Sequence, residues 1–158
     1  MTGYIVQISE TPISEDEYAS INRYETESRN EIFVVADHIN EASSEEADEV
    51  YSNHGFFSIM EGIKYNANEK SIVVVDKNAF FRERYEAFIE LVNRLSDASI
   101  EDFAGLKLRH DLFELQHTYE SYLTYVDNGW EPKTLDRLIR DSAEGTKYYF
   151  GAVFRFHI

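Results

Sequence analysis

Cysteine is absent from this chain of 158 residues, which excludes a disulfide scaffold and any metal site built on thiolates. Glycine and proline are scarce, with seven and two residues, and the glycines form no phosphate-binding loop. No Gly-x-Ser-x-Gly motif occurs, and no serine has a context typical of an activated nucleophile. Because no catalytic signature is present, we expect a protein that is not an enzyme and that needs no cofactor.

Positive charge is also in short supply. The chain has 15 Lys and Arg against 30 Asp and Glu, a formal net charge of −15. Nucleic acids and anionic membranes bind cationic surfaces, so neither is an expected partner. Apolar runs such as Ile72–Val75 are far too short to span a membrane, and the N-terminus lacks the pattern of a signal peptide. We therefore predict a cytoplasmic protein.

The acidic residues are concentrated at one end of the sequence. Residues 1–63 contain 14 acidic and 2 basic residues, a net charge of −12, whereas residues 64–158 contain 16 acidic and 13 basic residues, a net charge of −3. The length favours a single domain over residues 1–158, and a hydrophobic content of 43% is enough for a core. The prediction is thus one domain with an acidic N-terminal part and a charge-balanced C-terminal part.

Hydrophobic periodicity predicts an α+β fold, with a mainly antiparallel sheet of four or five strands and helices packed on one face. The predicted strands are Tyr4–Ser9, Glu31–Ala36, Phe56–Tyr65, Ser71–Asp76 and a closing strand from Tyr148 to Ile158. The predicted helices cover residues 15–24, 44–53 and 79–97, with Asn78 as the cap of the last, and another begins at Pro132. Residues 111–126 fit a helix, and the rival interpretation there is a strand at Ser121–Val126.

Capping boxes mark the expected helix starts. Ser14 with Glu17 and Ser43 with Glu46 have the Ser-x-x-Glu pattern, in which each side chain bonds a free amide of the first turn. Ser99 with Asp102 has the same spacing. The first two pairs predict that the acidic N-terminal part contains two short helices, and the third predicts a helix start at Ser99.

The two predicted acidic helices are the candidate binding surface. Carboxylates at a helix N-terminus are stabilised by the helix dipole, but neighbouring like charges repel, so local helix chemistry accounts for one or two acids per helix. A cationic partner would compensate the remaining repulsion, and tyrosines between the acids are suitable interface anchors. The predicted partner-binding residues are Glu15, Asp16, Glu17, Tyr18, Glu45, Glu46, Asp48, Glu49 and Tyr51.

Two other interpretations remain open. His110, Glu114 and His117 fall on one face of a predicted helix, the spacing of a weak candidate metal site or metal-dependent enzyme. The Phe-rich closing strand would let the chain act as a structural subunit of a homo-oligomer if it lay at a sheet edge. The sequence does not determine the oligomeric state.

A small, acidic, cysteine-free α+β protein without catalytic residues is similar in general type to bacterial immunity proteins and to inhibitors that mimic nucleic acid. The resemblance is one of class and composition and carries over no individual residue. It implies a binding module that neutralises a basic protein, such as a nuclease toxin, by covering its active cleft. This inhibitory role is the function we expect.

Overall fold

The computed structural model describes residues 2–26, 38–53, 57, 60–129 and 131–157. The strands in these residues are β1 (Thr2–Ser9), β2 (His38–Glu41), β3 (Ile63–Asn66), β4 (Ser71–Val74), β5 (Thr124–Asp127), β6 (Lys133–Thr134) and β7 (Lys147–His157). The helices are α1 (Asn22–Thr26), α2 (Ser44–Asp48), α3 (Lys77–Ser96), α4 (Ile100–Ala104), α5 (Leu108–Tyr119) and α6 (Leu135–Asp141).

The seven strands form one sheet in the order β3-β4-β7-β1-β5-β6, and β2 pairs with β7 as well. The β1–β5 pair is parallel and the other pairs are antiparallel. The α+β prediction is therefore confirmed, but the expected number of four or five strands is wrong. The sequence pattern missed β2, whose residues are mostly polar and exposed, and β6, which has only two residues.

The closing strand is confirmed as β7, but it lies inside the sheet. One side of β7 pairs with β1, and the other side pairs with β4 near Tyr149 and with β2 from Phe154 to His157. The expectation that this strand could recruit a second copy through a free edge is therefore wrong. The predicted strand at residues 31–36 lies outside the described residues, and the described part of 56–65 is extended only from Ile63 onward.

Two side-chain hydrogen bonds correct the predicted helix starts in the second half of the chain. The N-cap of α3 is Asp76, whose carboxylate accepts from the amide of Ala79 at 2.9 Å, and Asn78 lies inside the helix. The N-cap of α6 is Thr134, so Pro132 precedes β6 and is not the first residue of the helix.

Residues 111–126 contain both of the elements that the sequence left as alternatives. Helix α5 ends at Tyr119 and strand β5 begins at Thr124. The two patterns are therefore consecutive, which explains why both were visible in the sequence. The helix after Ser99 is confirmed, and its capping box with Asp102 is formed.

The core has two parts, one on each face of the sheet. The first includes Val6, Phe150 and Leu138, and the second includes Ile5 and Tyr24. Neighbouring strand residues point to opposite faces, so α6 covers one face while α1 contributes to the other. The predicted packing of helices on one face is thus incomplete. Among the described helices, none has the length and apolarity needed to cross a bilayer.

Candidate functional site

The two acidic segments are the regions of the predicted acidic helices, residues 15–24 and 44–53. They meet at an open groove of about 430 Å³ beside the middle of β7. Glu15 and Tyr18 line it from the first segment, and Ser44 and Asp48 line it from the second. The sheet contributes Gly151–Phe154 of β7 and Glu41 of β2 to the lining. Segments about 30 residues apart in sequence therefore form a single surface.

Gln7 on β1 holds the first acidic segment in place. Its side-chain oxygen accepts from the amides of Ala19 at 2.8 Å and Ala152 at 3.0 Å. Its side-chain nitrogen donates to the carbonyl oxygen of Glu17 at 3.0 Å. One amide side chain thus satisfies backbone groups of the first acidic segment and of β7, at the point where the β1–β7 register shifts between Val6 and Ile8.

These bonds explain why the predicted helix at residues 15–24 is interrupted. The chain forms a 3₁₀ turn at Glu15–Glu17, extends at Tyr18, and becomes helical again as α1. The backbone groups of Glu17 and Ala19 that bond Gln7 lie on either side of this break. The capping box of Ser14 and Glu17 is nevertheless formed.

The second acidic segment is attached by two polar contacts. Glu46 completes the capping box with Ser43 and also pairs with Arg155 of β7 at 2.7 Å. The Tyr51 hydroxyl donates to the carbonyl oxygen of Gly151 at 2.5 Å. The predicted helix at residues 44–53 becomes α2 followed by a π-helical turn, Glu49–Asn53, which buries Val50 and Tyr51.

Negative charge predominates in the groove. Its lining includes the carboxylates of Glu15, Glu41 and Asp48, and Lys70 is the one cation among the lining residues that the structure describes. Lys70 lies 3.7 Å from Asp48, and both side chains are more than half exposed. An exposed pair of this kind is weak, so Lys70 does little to neutralise the groove.

The capping carboxylates are already engaged within the protein. The amide of Ser43 lowers the pKa of Glu46, and the amide of Ser14 lowers the pKa of Glu17. Hydrogen bonding to the charged form is the cause in both cases. Glu17 and Glu46 therefore hold the acidic segments in place.

The remaining predicted residues divide by position. Asp16, Glu45 and Glu49 are exposed beside the groove but do not line it. Tyr18 is 37% exposed and fits the role of a surface anchor. Tyr51 also lines the groove, but it is only 3% exposed and its ring stacks on Phe150 at 4.9 Å, so its role in partner binding stays a prediction. Burial raises the pKa of Tyr51, which keeps its hydroxyl protonated as a donor.

Sequence reasoning missed most of the groove lining, including Glu41, Lys70 and Gly151. Gly151 had a usable signal, because an isolated glycine within a strand pattern indicates a bulge or a close approach of backbone. A Cβ at Gly151 would lie 2.5 Å from the Gln7 side-chain oxygen, so the close approach is real. Lys70 had no such signal, since it reaches the groove from the β3–β4 turn.

The candidate metal residues do not form a ligand cluster. Nδ1 of His117 lies 2.8 Å from the carbonyl oxygen of Phe113, and the two rings pack at 3.9 Å. Within the described residues, no three His, Asp or Glu side chains are placed to hold a metal ion. The interpretation of His110, Glu114 and His117 as a metal site stays a prediction, which elemental analysis of the purified protein would test.

Comparison with protein-family models, curated proteins and solved structures finds no match to this chain.

Proposed function

We propose that this protein is an acidic binding module that acts as an immunity or inhibitor protein. Its partner is a basic protein, such as a nuclease toxin, whose active cleft it covers. The observation that carries the proposal is the convergence of the two acidic segments on one groove that contains the carboxylates of Glu15, Glu41 and Asp48.

The chemistry of the groove fits cationic side chains. A volume of about 430 Å³ accommodates a Lys or Arg side chain of a partner. The carboxylates offer charge-assisted hydrogen bonds, which are stronger than neutral ones. The exposed ring of Tyr18 offers a face for a guanidinium group, at about 0.5–1 kcal/mol for an exposed cation–π contact.

The surrounding acids extend this surface. Asp16, Glu45 and Glu49 are exposed beside the groove and produce a negative field over it. Such a field accelerates the encounter with a basic protein and weakens as salt is added. The same charge repels nucleic acid, so a nuclease whose cleft binds phosphates is a partner of the right chemistry.

The test compares two variants of equal net charge. The groove variant carries Glu15→Lys, Glu41→Lys and Asp48→Lys. The control carries Glu10→Lys, Glu61→Lys and Glu131→Lys, which are exposed positions outside the groove lining. Each set changes the formal net charge from −15 to −9, so any difference reports position and not total charge.

Each protein is immobilised and used to capture basic proteins from a lysate of the host, and the captured protein is then purified. We expect binding to the wild type and the control with dissociation constants within about threefold, and at least a hundredfold weaker binding to the groove variant. Affinity should fall as salt rises from about 0.05 to 0.5 M. Equal affinity for the two variants, or salt-independent binding, would contradict the proposal.

The inhibitory part needs its own measurement. The enzymatic activity of the captured protein is assayed with increasing amounts of the wild-type chain. We expect activity to disappear at equimolar ratio with the wild type and to persist with the groove variant. A complex that forms with full retention of activity would show a binding module without an inhibitory role.

A further inference from the structure

The segment between β4 and β5 exposes an unusual amount of apolar surface. Residues 77–119, called the arm from here on, contain α3, α4 and α5, and α3 packs against α5. Among the described residues, nine of the twelve exposed large hydrophobic side chains lie in the arm. The largest exposed fractions are those of Ile100 at 78%, Phe103 at 75% and Leu106 at 82%.

Helix α3 has more apolar surface than α5 covers. Leu91 is its one buried residue among those described, at 7% exposure. Tyr85, Ile89 and Val92 follow a helical spacing of four and three, so they form a second stripe, with exposed fractions of 62%, 36% and 37%. A helix with two apolar stripes is typical of a bundle in which each helix has two neighbours.

Helix α5 has the same excess. Leu112 and Phe113 are each 57% exposed, although α5 packs on α3. The contacts between α3 and α5 leave part of each apolar face in solvent. A second pair of helices would cover both faces and complete a four-helix arrangement.

The exposed area is of the size that a dimer requires. The nine side chains together expose roughly 1,000 Å², taking about 200 Å² for a large side chain that is fully exposed. A stable interface buries about 800 Å² per partner, whereas apolar patches on monomers rarely exceed about 600 Å². The arm therefore has enough apolar surface to form an interface by itself.

The charge distribution identifies a second copy of the chain as the occupant. The arm contains six basic and eight acidic residues, a net charge of −2, so the rest of the chain has a net charge of −13. Two copies repel each other through every surface that includes the acidic part. The arm is the region where this repulsion is weak and where charges of both signs can pair across a twofold axis.

We propose that two copies of this protein associate through their arms and form a four-helix interface. The contact surface of each copy includes Tyr85, Ile89, Val92, Phe103, Leu106 and Leu112. The interface is separate from the acidic groove, because no arm residue lines the groove. Each dimer thus presents two grooves. Strand β7 takes no part, since both of its sides are paired.

The first test is the mass in solution. Light scattering and sedimentation from about 1 to 200 µM cover the range of a weak to moderate dimer. We expect twice the chain mass of 18.5 kDa at the upper concentrations. Phe103→Glu combined with Leu106→Glu should give a monomer throughout, and these exposed positions can be changed without disturbing the core. A wild-type protein that stays monomeric at 200 µM overturns the proposal, whatever other protein binds the arm.

The second test locates the interface. Because the chain has no cysteine, a single introduced cysteine can form a disulfide only with another copy. Ile89→Cys lies on the arm, and Glu61→Cys is an exposed control in the sheet region. Under mild oxidation we expect at least a tenfold higher yield of covalent dimer from Ile89→Cys. Equal yields, or a dimer that persists after Phe103→Glu and Leu106→Glu, would place the interface elsewhere and overturn the proposal.

Discussion

A single glutamine connects the sheet to the acidic surface. Gln7 lies between two buried strand residues, and its side chain makes three hydrogen bonds to the backbone of other segments. These bonds place the segment with Glu15 and Tyr18 at the groove. Gly151 makes the arrangement possible, because any larger residue would occupy the space of the Gln7 amide.

Gly151→Ala should therefore disturb the groove through Gln7. The added Cβ would lie 2.5 Å from the Gln7 oxygen and 3.1 Å from Cδ1 of Ile13, so the glutamine has to leave its partners. We expect a loss of about 1–3 kcal/mol in the free energy of unfolding, measured in urea.

Gln7→Ala removes the same bonds, so the double variant should lose little more than the larger single loss. Gly105→Ala is the control, since its Cβ has room at 3.4 Å from the nearest atom, and it should change stability by less than about 0.5 kcal/mol. Strictly additive losses for Gly151→Ala and Gln7→Ala would contradict the shared mechanism.

At the scale of elements, short helices with capping boxes determine where the acids lie. The boxes starting at Ser14, Ser43 and Ser99 are all formed. In each, a carboxylate three residues later bonds the backbone amide of the serine, which lowers the pKa of that carboxylate. The pKa of Asp102 is lowered to about 2. The hydrogen bond from the Lys107 ammonium is the largest cause, and the amide of Ser99 is the next.

The capping carboxylates predict an acid-sensitive contribution to stability. Because their pKa values are lower in the folded protein, their stabilisation is complete above the unfolded values of 4.5 for Glu and 3.8 for Asp. It is lost as the pH falls through the lowered folded values. The variant with Glu17→Gln, Glu46→Gln and Asp102→Asn keeps similar shapes without this titration. We expect urea unfolding to show the wild type as the more stable at pH 7, the gap to narrow as the pH falls below about 4, and the gap to close only below about pH 2, the folded pKa of Asp102.

A gap between these two proteins that does not change between pH 7 and pH 2 would mean that the capping bonds do not depend on the charge of the carboxylates. Single variants then show which box contributes. Glu46→Gln also removes the pair with Arg155, so its effect should be the larger of the two glutamate variants.

At the scale of the whole molecule, the folded chain contains many carboxylates that repel one another. Folding brings Glu15, Glu41 and Asp48 together around one groove, although they are separated in sequence. A binding surface often lowers the stability of the free protein, because it holds groups of like charge close together. The groove should therefore carry a measurable cost in stability.

Neutralising the groove should stabilise the protein. We expect Glu15→Gln, Glu41→Gln and Asp48→Asn to raise the free energy of unfolding by about 0.5–1 kcal/mol at low salt. The gain should shrink as salt screens the repulsion. The control with Glu10→Gln, Glu61→Gln and Glu131→Gln should gain less, and an equal gain would show that total charge and not its placement matters.

Several features followed from local sequence because their causes are local. The three capping boxes, α3 and β7 are set by residues within a few positions of each other, so spacing and periodicity were sufficient to predict them. The concentration of acids in residues 1–63 is a property of the sequence itself. The α+β class also followed, since it depends on which patterns occur and not on how they pair.

Tertiary structure decided how these parts meet. The sequence has no local sign that Gln7 interrupts the first acidic helix, that Tyr51 turns inward to bond Gly151, or that Lys70 reaches Asp48 from a hairpin turn. Each depends on contacts between residues far apart along the chain. The absence of cysteine excluded thiolate and disulfide sites, and the scarcity of glycine and of positive charge led us to expect neither a phosphate-binding loop nor a nucleic-acid partner. The location of the acidic groove depends on tertiary structure, because the sheet brings together two acidic segments that are about 30 residues apart in sequence.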